Sequence, residues 1–446
     1  RRVESALRRV EGVAAAHVDY RGGTATVKLD RDVPEHKLLS AVKSAGYRAE
    51  VASDVGVTAA ASAHSDFPRH ALATTWTPSE QDREVNADFD LLVIGTGGAG
   101  VAAAIQAAGM GAKVVIVEQG TLGGTCVNVG CIPSKNLIEA AAHYHAARKG
   151  FPGIMPCEPG LDWQAVIRQK NELVGELRQA KYSDVLASYP EVALLEGRAT
   201  LLAGGRVQVG GARYRARKMV IATGTSPAMP PITGLEQADP LDSTTVMELE
   251  ALPKSMIVLG GSAVGLELAQ TFARFGVKVL LVQRGARLLP GEEPVVSEAL
   301  RTALEAEGVE VHTGTTATRA ERDGDQVVVH VRQGSLEGQF RTERILVGTG
   351  RQPNTRDMGL DDVGVRLTAK GFVEVDTTMR STSQPDVYAA GDVTGNPGYV
   401  YVAAAGGRVA AENAVNALLP ATGGEAPDPR EFDLPDVGPM VLEDAE

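Results

Sequence analysis

Short apolar runs alternate along this chain with segments whose apolar residues recur every three to four positions, the pattern of strands interleaved with amphipathic helices. Near the start, Arg1 to Arg9 reads as a helical segment. Val13 to Tyr20 and Thr24 to Leu29 read as strands joined by the turn Arg21-Gly22-Gly23, and Pro34 to Ala45 as a second helix ending at Gly46. From Ala52 to about Asn86 the sequence turns to Ala, Ser, Thr and Pro without sustained periodicity, which describes a flexible tether. Two later stretches then repeat one plan. In the first, the strand Leu91 to Ile94 runs into Gly95-x-Gly97-x-x-Gly100, an Ala-rich helix, and the strand Val114 to Val117 ending in Glu118. In the second, Ile257 to Leu259 is followed by Gly260, Ser262 and Gly265 at the same three positions, a helix, and the strand Lys278 to Val282. Glu118 lies 23 positions after Gly95 and Gln283 lies 23 after Gly260, so the two units align without a gap.

Composition narrows the reading. A chain of 446 residues has room for roughly three domains. With 44 basic and 56 acidic side chains the net charge is −12, which argues against a nucleic-acid or anionic-membrane partner and for small molecules or proteins. No apolar run approaches the ~18 residues that span a bilayer, and the first residues lack the apolar core of a secretory signal, so a cytoplasmic location is expected. Three cysteines cannot build a disulfide framework. The close pair Cys126 and Cys131 is expected to be catalytic or metal-binding, and Cys157, alone in the Pro-rich loop Phe151 to Pro159, a passive thiol.

Both repeated units read as dinucleotide-binding βαβ folds, one per cofactor. In the first, the glycines let the backbone approach a pyrophosphate whose charge is met by the helix N-terminus, and Glu118 can accept hydrogen bonds from an adenosine ribose. In the second, Gln283 replaces the acid and Arg284 follows it, which removes repulsion of a 2′-phosphate, provides an attractive charge and favours NADPH over NADH. Just after the first unit comes GGTCVNVGCIPSK, Gly123 to Lys135, with a helix expected to begin near Ile132-Pro133. Thiolates at a helix N-terminus are stabilised by its dipole, so both the nucleophilic and the metal-binding forms are expected to be accessible at neutral pH. A structural zinc site would need four ligands, and no second cysteine or histidine pair stands at suitable spacing. His143 and His145 read as ordinary helix residues.

With ATGTSP (Ala222 to Pro227), VGTGRQPN (Val347 to Asn354) and VYAAGDVT (Val387 to Thr394) in order behind the cysteine motif, the stretch from about Asp88 to Ala417 resembles the pyridine nucleotide-disulfide oxidoreductases. That resemblance implies an α/β protein with two Rossmann-like dinucleotide-binding domains, for FAD and NADPH, of the glutathione reductase type. The first 51 residues resemble a partial ferredoxin-like βαββαβ heavy-metal-associated domain. The family's Cys-x-x-Cys would precede Arg1, and the residues present read as a folded appendage without ligands. The implied organisation is 1–51 for that unit, 52–86 for the linker, 87–226 and 347–419 for the FAD-binding domain, 227–346 for the NADPH-binding domain and 420–446 for a tail.

Residue by residue, the resemblance assigns FAD to Gly95, Gly97, Gly98, Gly100 and Glu118, to Gly124, Thr125 and Lys135, and to Thr223, Gly224, Asp392 and Val393, with Asp392 on the ribityl chain. It assigns NADPH to Gly260, Gly265 and Arg284, and places Gly350 at the nucleotides as well. Cys131 would contact the flavin and Cys126 exchange with substrate, while Lys135 would pair with Glu267 beside the flavin and steady its negative charge. The helix near Tyr401 to Ala417 would point its N-terminus at the flavin ring.

Within the family, the metal-domain-like start, LRQAKY (Leu177 to Tyr182) and YVYVAAAGG (Tyr399 to Gly407) resemble the mercuric reductase branch. Tyr182 becomes a candidate near the metal, and Ala263 stands where glutathione reductases carry a tyrosine. That branch implies Hg(II) as substrate, held by Cys126 and Cys131 while two electrons pass to it. The family forms homodimers through a C-terminal domain. Here its pattern fades after about Leu419 and no cysteine follows Cys157, so the expectation is a chain truncated at both ends, without the dimerisation domain. A disulfide reductase of the dihydrolipoyl or glutathione type and a non-catalytic, metal-sequestering flavoprotein remain as alternatives.

Overall fold

The computed structural model describes Leu7, Val10, 13–19, 24–29, Val33, Leu38, 88–418 and 428–433. The chain divides into two compact units, Arg1–Asp66 and Phe67–Glu446. In the first, β1 (Val13–Asp19) pairs antiparallel with β2 (Thr24–Leu29), Val18 opposite Ala25. Leu7 and Ala16 are buried there, with Val13, Val27 and Leu38 against them. The expected helices, apart from Leu7 and Leu38, the third strand and the tether 52–86 lie outside the described residues, as does most of the tail.

The second unit is built on two sheets, the larger mixed and the smaller parallel. β3 (Asp88–Ile94) lies at the centre of the larger one. Beside it run β4 (Val114–Glu118) and then β5 (Val192–Glu196), all parallel. On the other side comes β8 (Ala212–Ile221), parallel to β3 and followed antiparallel by β7 (Arg206–Val209) and β6 (Ala199–Leu202). The seventh strand, β18 (Val387–Ala389), returns from far along the chain to pair parallel with β8.

β3 is apolar without alternation because both its faces are covered. Leu91 and Val93 pack under α1 (Gly98–Gly109) and α8 (Val400–Asn416), whereas Leu92 and Ile94 enter a second cluster with Leu201, Val207 and Val373. The two helices cross so closely that a Cβ on Gly407 would sit 2.2 Å from the Ala99 carbonyl oxygen. Only glycine permits that approach.

The smaller sheet has the order β12 (Glu310–His312), β11 (Lys278–Val282), β10 (Ser255–Leu259), β16 (Arg344–Val347), all parallel. One face buries Met256 and Val258 with Leu268 and Phe272 of α6 (Ala263–Arg274). The other buries Ile257 and Leu259 against an antiparallel meander, β13 (Thr316–Asp323), β14 (Gln326–Gln333) and β15 (Leu336–Thr342). Between the sheets the chain leaves through β9 (Thr225–Pro227) and returns through β17 (Arg351–Pro353), paired antiparallel. Among the described residues no helix is long and apolar enough to cross a membrane.

Candidate active site

A cleft of about 710 Å³ opens at the carboxyl ends of β3 and β4, where an open α/β sheet places its ligands. Gly95 turns the chain out of β3 with φ of 104°, and a Cβ on Gly100 would lie 1.8 Å from the Gly95 carbonyl oxygen. Helix α1 can begin this close to the strand only with hydrogen at that position. Its N-cap is Gly97 and its first turn carries no acid, so its amide N–H groups are available to a phosphate. At the end of β4, Glu118 accepts from the Gly120 amide at 2.8 Å, from the Thr96 amide at 3.2 Å and from the Thr96 hydroxyl.

Across the cleft, Asp392 accepts from the Thr225 hydroxyl at 3.0 Å, and Arg351 donates to that hydroxyl at 2.6 Å and to the Thr225 carbonyl at 2.7 Å. Asn354 holds the turn after β8 by donating to the Thr223 carbonyl at 2.8 Å. An anion-ready helix end, an anchored acid at the strand terminus and Asp392 opposite them fit a flavin dinucleotide, whose pyrophosphate and hydroxyl groups require such partners.

The cysteines lie in the same cleft. Cys126 sits in the short helix α2 (Gly124–Asn128), and Cys131 is the first residue of α3 (Cys131–Lys149), slightly earlier than the expected start near Ile132-Pro133. The two sulfurs are not equivalent. The Cys126 S–H donates to Cys131, which lowers the Cys131 thiol to about 6, helped by a backbone hydrogen bond and Lys135 against burial and Glu267. The same hydrogen bond, together with burial and the charge of Cys131, pushes Cys126 far up. The pair therefore shares one proton.

Lys135, one turn into α3, reaches both carboxylate oxygens of Glu267 on α6 at 2.8 Å. Lys135 is exposed and Glu267 partly so, and the bridge therefore adds little stability and instead fixes where the cation stands beside Cys131. Tyr182 is half-buried, and its hydroxyl is held in the protonated form first by burial and then by the electrostatic influence of the cysteine pair.

The cleft therefore gathers Gly95, Gly97, Gly98 and Glu118 with Gly124, Thr125, Cys126, Cys131 and Lys135, and with Thr223, Gly224, Glu267 and Asp392. Gly100 and Val393 are buried beneath it. Gly260, Gly265, Arg284 and Gly350 are not in its wall. The first three belong to the second unit, where the Gln283 side chain accepts from the Gly261 amide at 3.1 Å and donates to the Arg287 carbonyl at 3.2 Å. Arg284 beside it is exposed. Helix α6 starts from Ser262 without an acid in its first turn, so this unit also offers amides to a phosphate.

Sequence reasoning passed over Arg351, Thr225 and Asn354, although each lies inside one of the matched motifs. It also passed over Lys181, whose charge reaches the Cys126 thiol.

Comparison with known proteins agrees with this geometry. Residues 89–407 match the pyridine nucleotide-disulphide oxidoreductase family, and residues 1–48 the heavy-metal-associated domain. The chain is 44% identical to a mercuric reductase of Streptomyces lividans over 75% of its own length and 71% of the relative's. It is 39% identical to one from Shigella flexneri over 95% and 74%. With one from Bacillus cereus it shares 36% identity over 91% of itself, spanning 62% of that longer protein. Among solved structures, the HOCl-induced flavoprotein disulfide reductase RclA from Escherichia coli, as its Cu(II) complex, superimposes with a TM-score of 0.66 at 29% identity, covering 73% of this chain and 70% of that one. On these grounds the chain belongs to the pyridine nucleotide-disulphide oxidoreductases, in their mercuric reductase group.

Proposed function

We infer that this protein is an FAD-dependent oxidoreductase that uses NADPH to reduce Hg(II) to elemental mercury. One juxtaposition carries the reading: a thiolate–thiol pair, Cys131 and Cys126, stands in the same cleft as the phosphate-ready start of α1, Glu118 and Asp392. A structural dithiol has no need of a nucleotide cradle, and a metal scavenger no need of a second one.

Bound FAD supplies a two-electron relay between nicotinamide and dithiol. The residues of the chain do the rest. Hg(II) is a soft cation that exchanges thiolate ligands readily. Cys126, to which the resemblance gives exchange with substrate, forms one S–Hg bond, and its proton leaves with the thiolate ligand it displaces. The Cys131 thiolate forms the second and displaces the other ligand, so two S–Hg bonds form for two broken. Lys135, steered by Glu267, holds a positive charge next to Cys131, and Tyr182, behind the cleft wall, keeps a protonated hydroxyl within electrostatic reach of the pair. Gly95, Gly97, Gly98, Gly124, Thr125, Thr223 and Gly224 shape the flavin cradle, with Gly100 and Val393 supporting it from below. Gly260 and Gly265 shape that of the nicotinamide dinucleotide, with Gly350 at the entry to β17. Arg284 selects the 2′-phosphate. We place the reaction in the cytoplasm, where thiols stay reduced, and propose that the exposed, stacked Tyr399 and Tyr401 at the start of α8 face a second copy of the chain.

The test is release of mercury vapour from Hg(II) with NADPH, run beside oxidised glutathione and lipoamide. Vapour and NADPH consumption are expected with Hg(II), and neither Cys126→Ala nor Cys131→Ala should retain them, although both variants should keep FAD. Preferred turnover of lipoamide or glutathione, or undiminished turnover in either variant, contradicts the reading.

A further inference from the structure

The helix that carries Tyr182 is not regular. α4 (Trp163–Arg178) continues without a break through a π-helical turn, Gln179–Ser183, into α5 (Asp184–Ala187). Among the described residues it is the single π-turn, and such turns insert one extra residue into an α-helix. Its effect comes from spacing. α4 buries Trp163, Lys170 and Val174, so at α-helical spacing the residue two turns beyond Val174 on that face, after Leu177 and Arg178, would be Lys181. The inserted residue passes the inward position to Tyr182, which packs with Leu186, four residues on, against the core of the larger sheet. Lys181 is turned out to solvent instead.

The turn is also tied to the cysteine segment. Arg178 donates to the Asn128 side chain at 3.1 Å, and Asn128 in turn donates to the carbonyls of Leu122 and Gly124 at 2.9 Å each. These bonds tie the end of α4 to the cysteine segment, and Lys181, outside the cleft wall, exerts the weakest of the electrostatic influences on the Cys126 thiol, a lowering one. Lys135 is bound to Glu267, whereas Arg178 has the neutral Asn128 as its partner and Asp184, the acid nearest Lys181 on the helix, accepts from the neutral Gln179 at 2.7 Å. Lys181 has no hydrogen bond or ion pair among the described residues and is exposed, so its ammonium is free to meet an approaching anion.

Deepening the Hg(II) reading on which it rests, we propose that the π-turn presents Lys181 as a selectivity residue, drawing in mercury that arrives as complexes with carboxylate-bearing thiols over complexes with cationic thiols. Among reduced thiols, a soft divalent cation is carried as a two-thiolate complex, so the charge of the complex is set by the carrier. An exposed ammonium near the approach to a cleft biases encounter toward negative complexes, and salt screens that bias.

The experiment measures kcat/KM of the FAD-loaded full chain with Hg(II) supplied as its complexes with 3-mercaptopropionate, 2-mercaptoethanol or cysteamine, similar in size but doubly negative, neutral and doubly positive. The wild-type protein should prefer the negative complex. Lys181→Glu should lower the ratio of negative to positive complex by about tenfold at low ionic strength, and Lys181→Met by about threefold, with the difference shrinking in ~0.5 M salt. The change should lie in kcat/KM, with kcat at saturation and the rate of flavin reduction by NADPH little altered, a split that a merely structural role would not produce. Lys149→Glu, roughly 27 Å further along α3 from Cys131, should leave the ratio unchanged. A ratio unmoved by Lys181→Glu, or moved equally by Lys149→Glu, overturns the proposal. Absence of Hg(II)-dependent NADPH consumption in the wild type would instead remove the reading beneath it.

Discussion

The two βαβ units use one backbone solution for two purposes. Gly95 and Gly260 leave their strands with φ of 104° and 112°, and a Cβ on Gly100 or Gly265 would lie 1.8 or 2.1 Å from the carbonyl oxygen of its own first glycine. The close packing of helix on strand is therefore the same in both. They part at the end of the second strand. Glu118 is held by Thr96 and Gly120 at the edge of the cleft, whereas Gln283 turns back to Gly261 and Arg287 and leaves Arg284 exposed. They part again beyond that strand, since only the first unit leads into the cysteine helix. Backbone geometry makes a dinucleotide site, and a few side chains decide which dinucleotide and which chemistry.

The strongest way to break this comparison is to add one methyl group to each unit. Gly100→Ala must displace the Gly95 carbonyl at a cost of about 3 kcal/mol, so the purified protein should lose its flavin absorbance. Gly265→Ala should stay yellow and lose NADPH binding instead. If both variants lost the same cofactor, the two units would not be separate sites.

Arg284→Glu sharpens the contrast at the strand end. One charge-assisted contact to a 2′-phosphate contributes about 1.5 to 3 kcal/mol, so the kcat/KM preference for NADPH over NADH should fall roughly 10- to 100-fold. An unchanged ratio would make Arg284 an ordinary surface charge. The smallest effect is expected from pH. The Cys131 thiolate is present above about 6 and is lost as pH falls through that value. With NADH as donor, so that no 2′-phosphate titrates, kcat/KM for Hg(II) should drop roughly tenfold between pH 7 and pH 5 while KM for NADH stays level. A flat profile for Hg(II) would contradict the shared-proton description of the pair.

Much of this was legible in sequence because it depends on local repetition. Equal spacing from Gly95 to Glu118 and from Gly260 to Gln283 announced two units with different strand-end chemistry. The meander β13 to β15, by contrast, lies in a stretch without a glycine motif or a matched signature to mark it. The π-turn was hidden for a geometric reason: one inserted residue leaves the apolar pattern of a helix nearly intact while rotating everything after it, so Lys181 and Tyr182 exchange faces without a local signal. Arg351 and Asn354 were visible as motif letters, but their task of bracing Thr225 and Thr223 exists only after β9 and β17 pair. The unequal protonation of the cysteines arises from the contact between their sulfurs, which spacing alone does not reveal.

The central claim, that electrons from NADPH reach Cys126 and Cys131 through the flavin, is tested most directly by anaerobic reduction of the air-oxidised holoprotein, with its reactive thiols then counted and mapped. NADPH should expose two additional thiols, mapping to Cys126 and Cys131, and both should become protected when one equivalent of Hg(II) is added. An unchanged thiol count after NADPH, or protection that falls on Cys157, would contradict it.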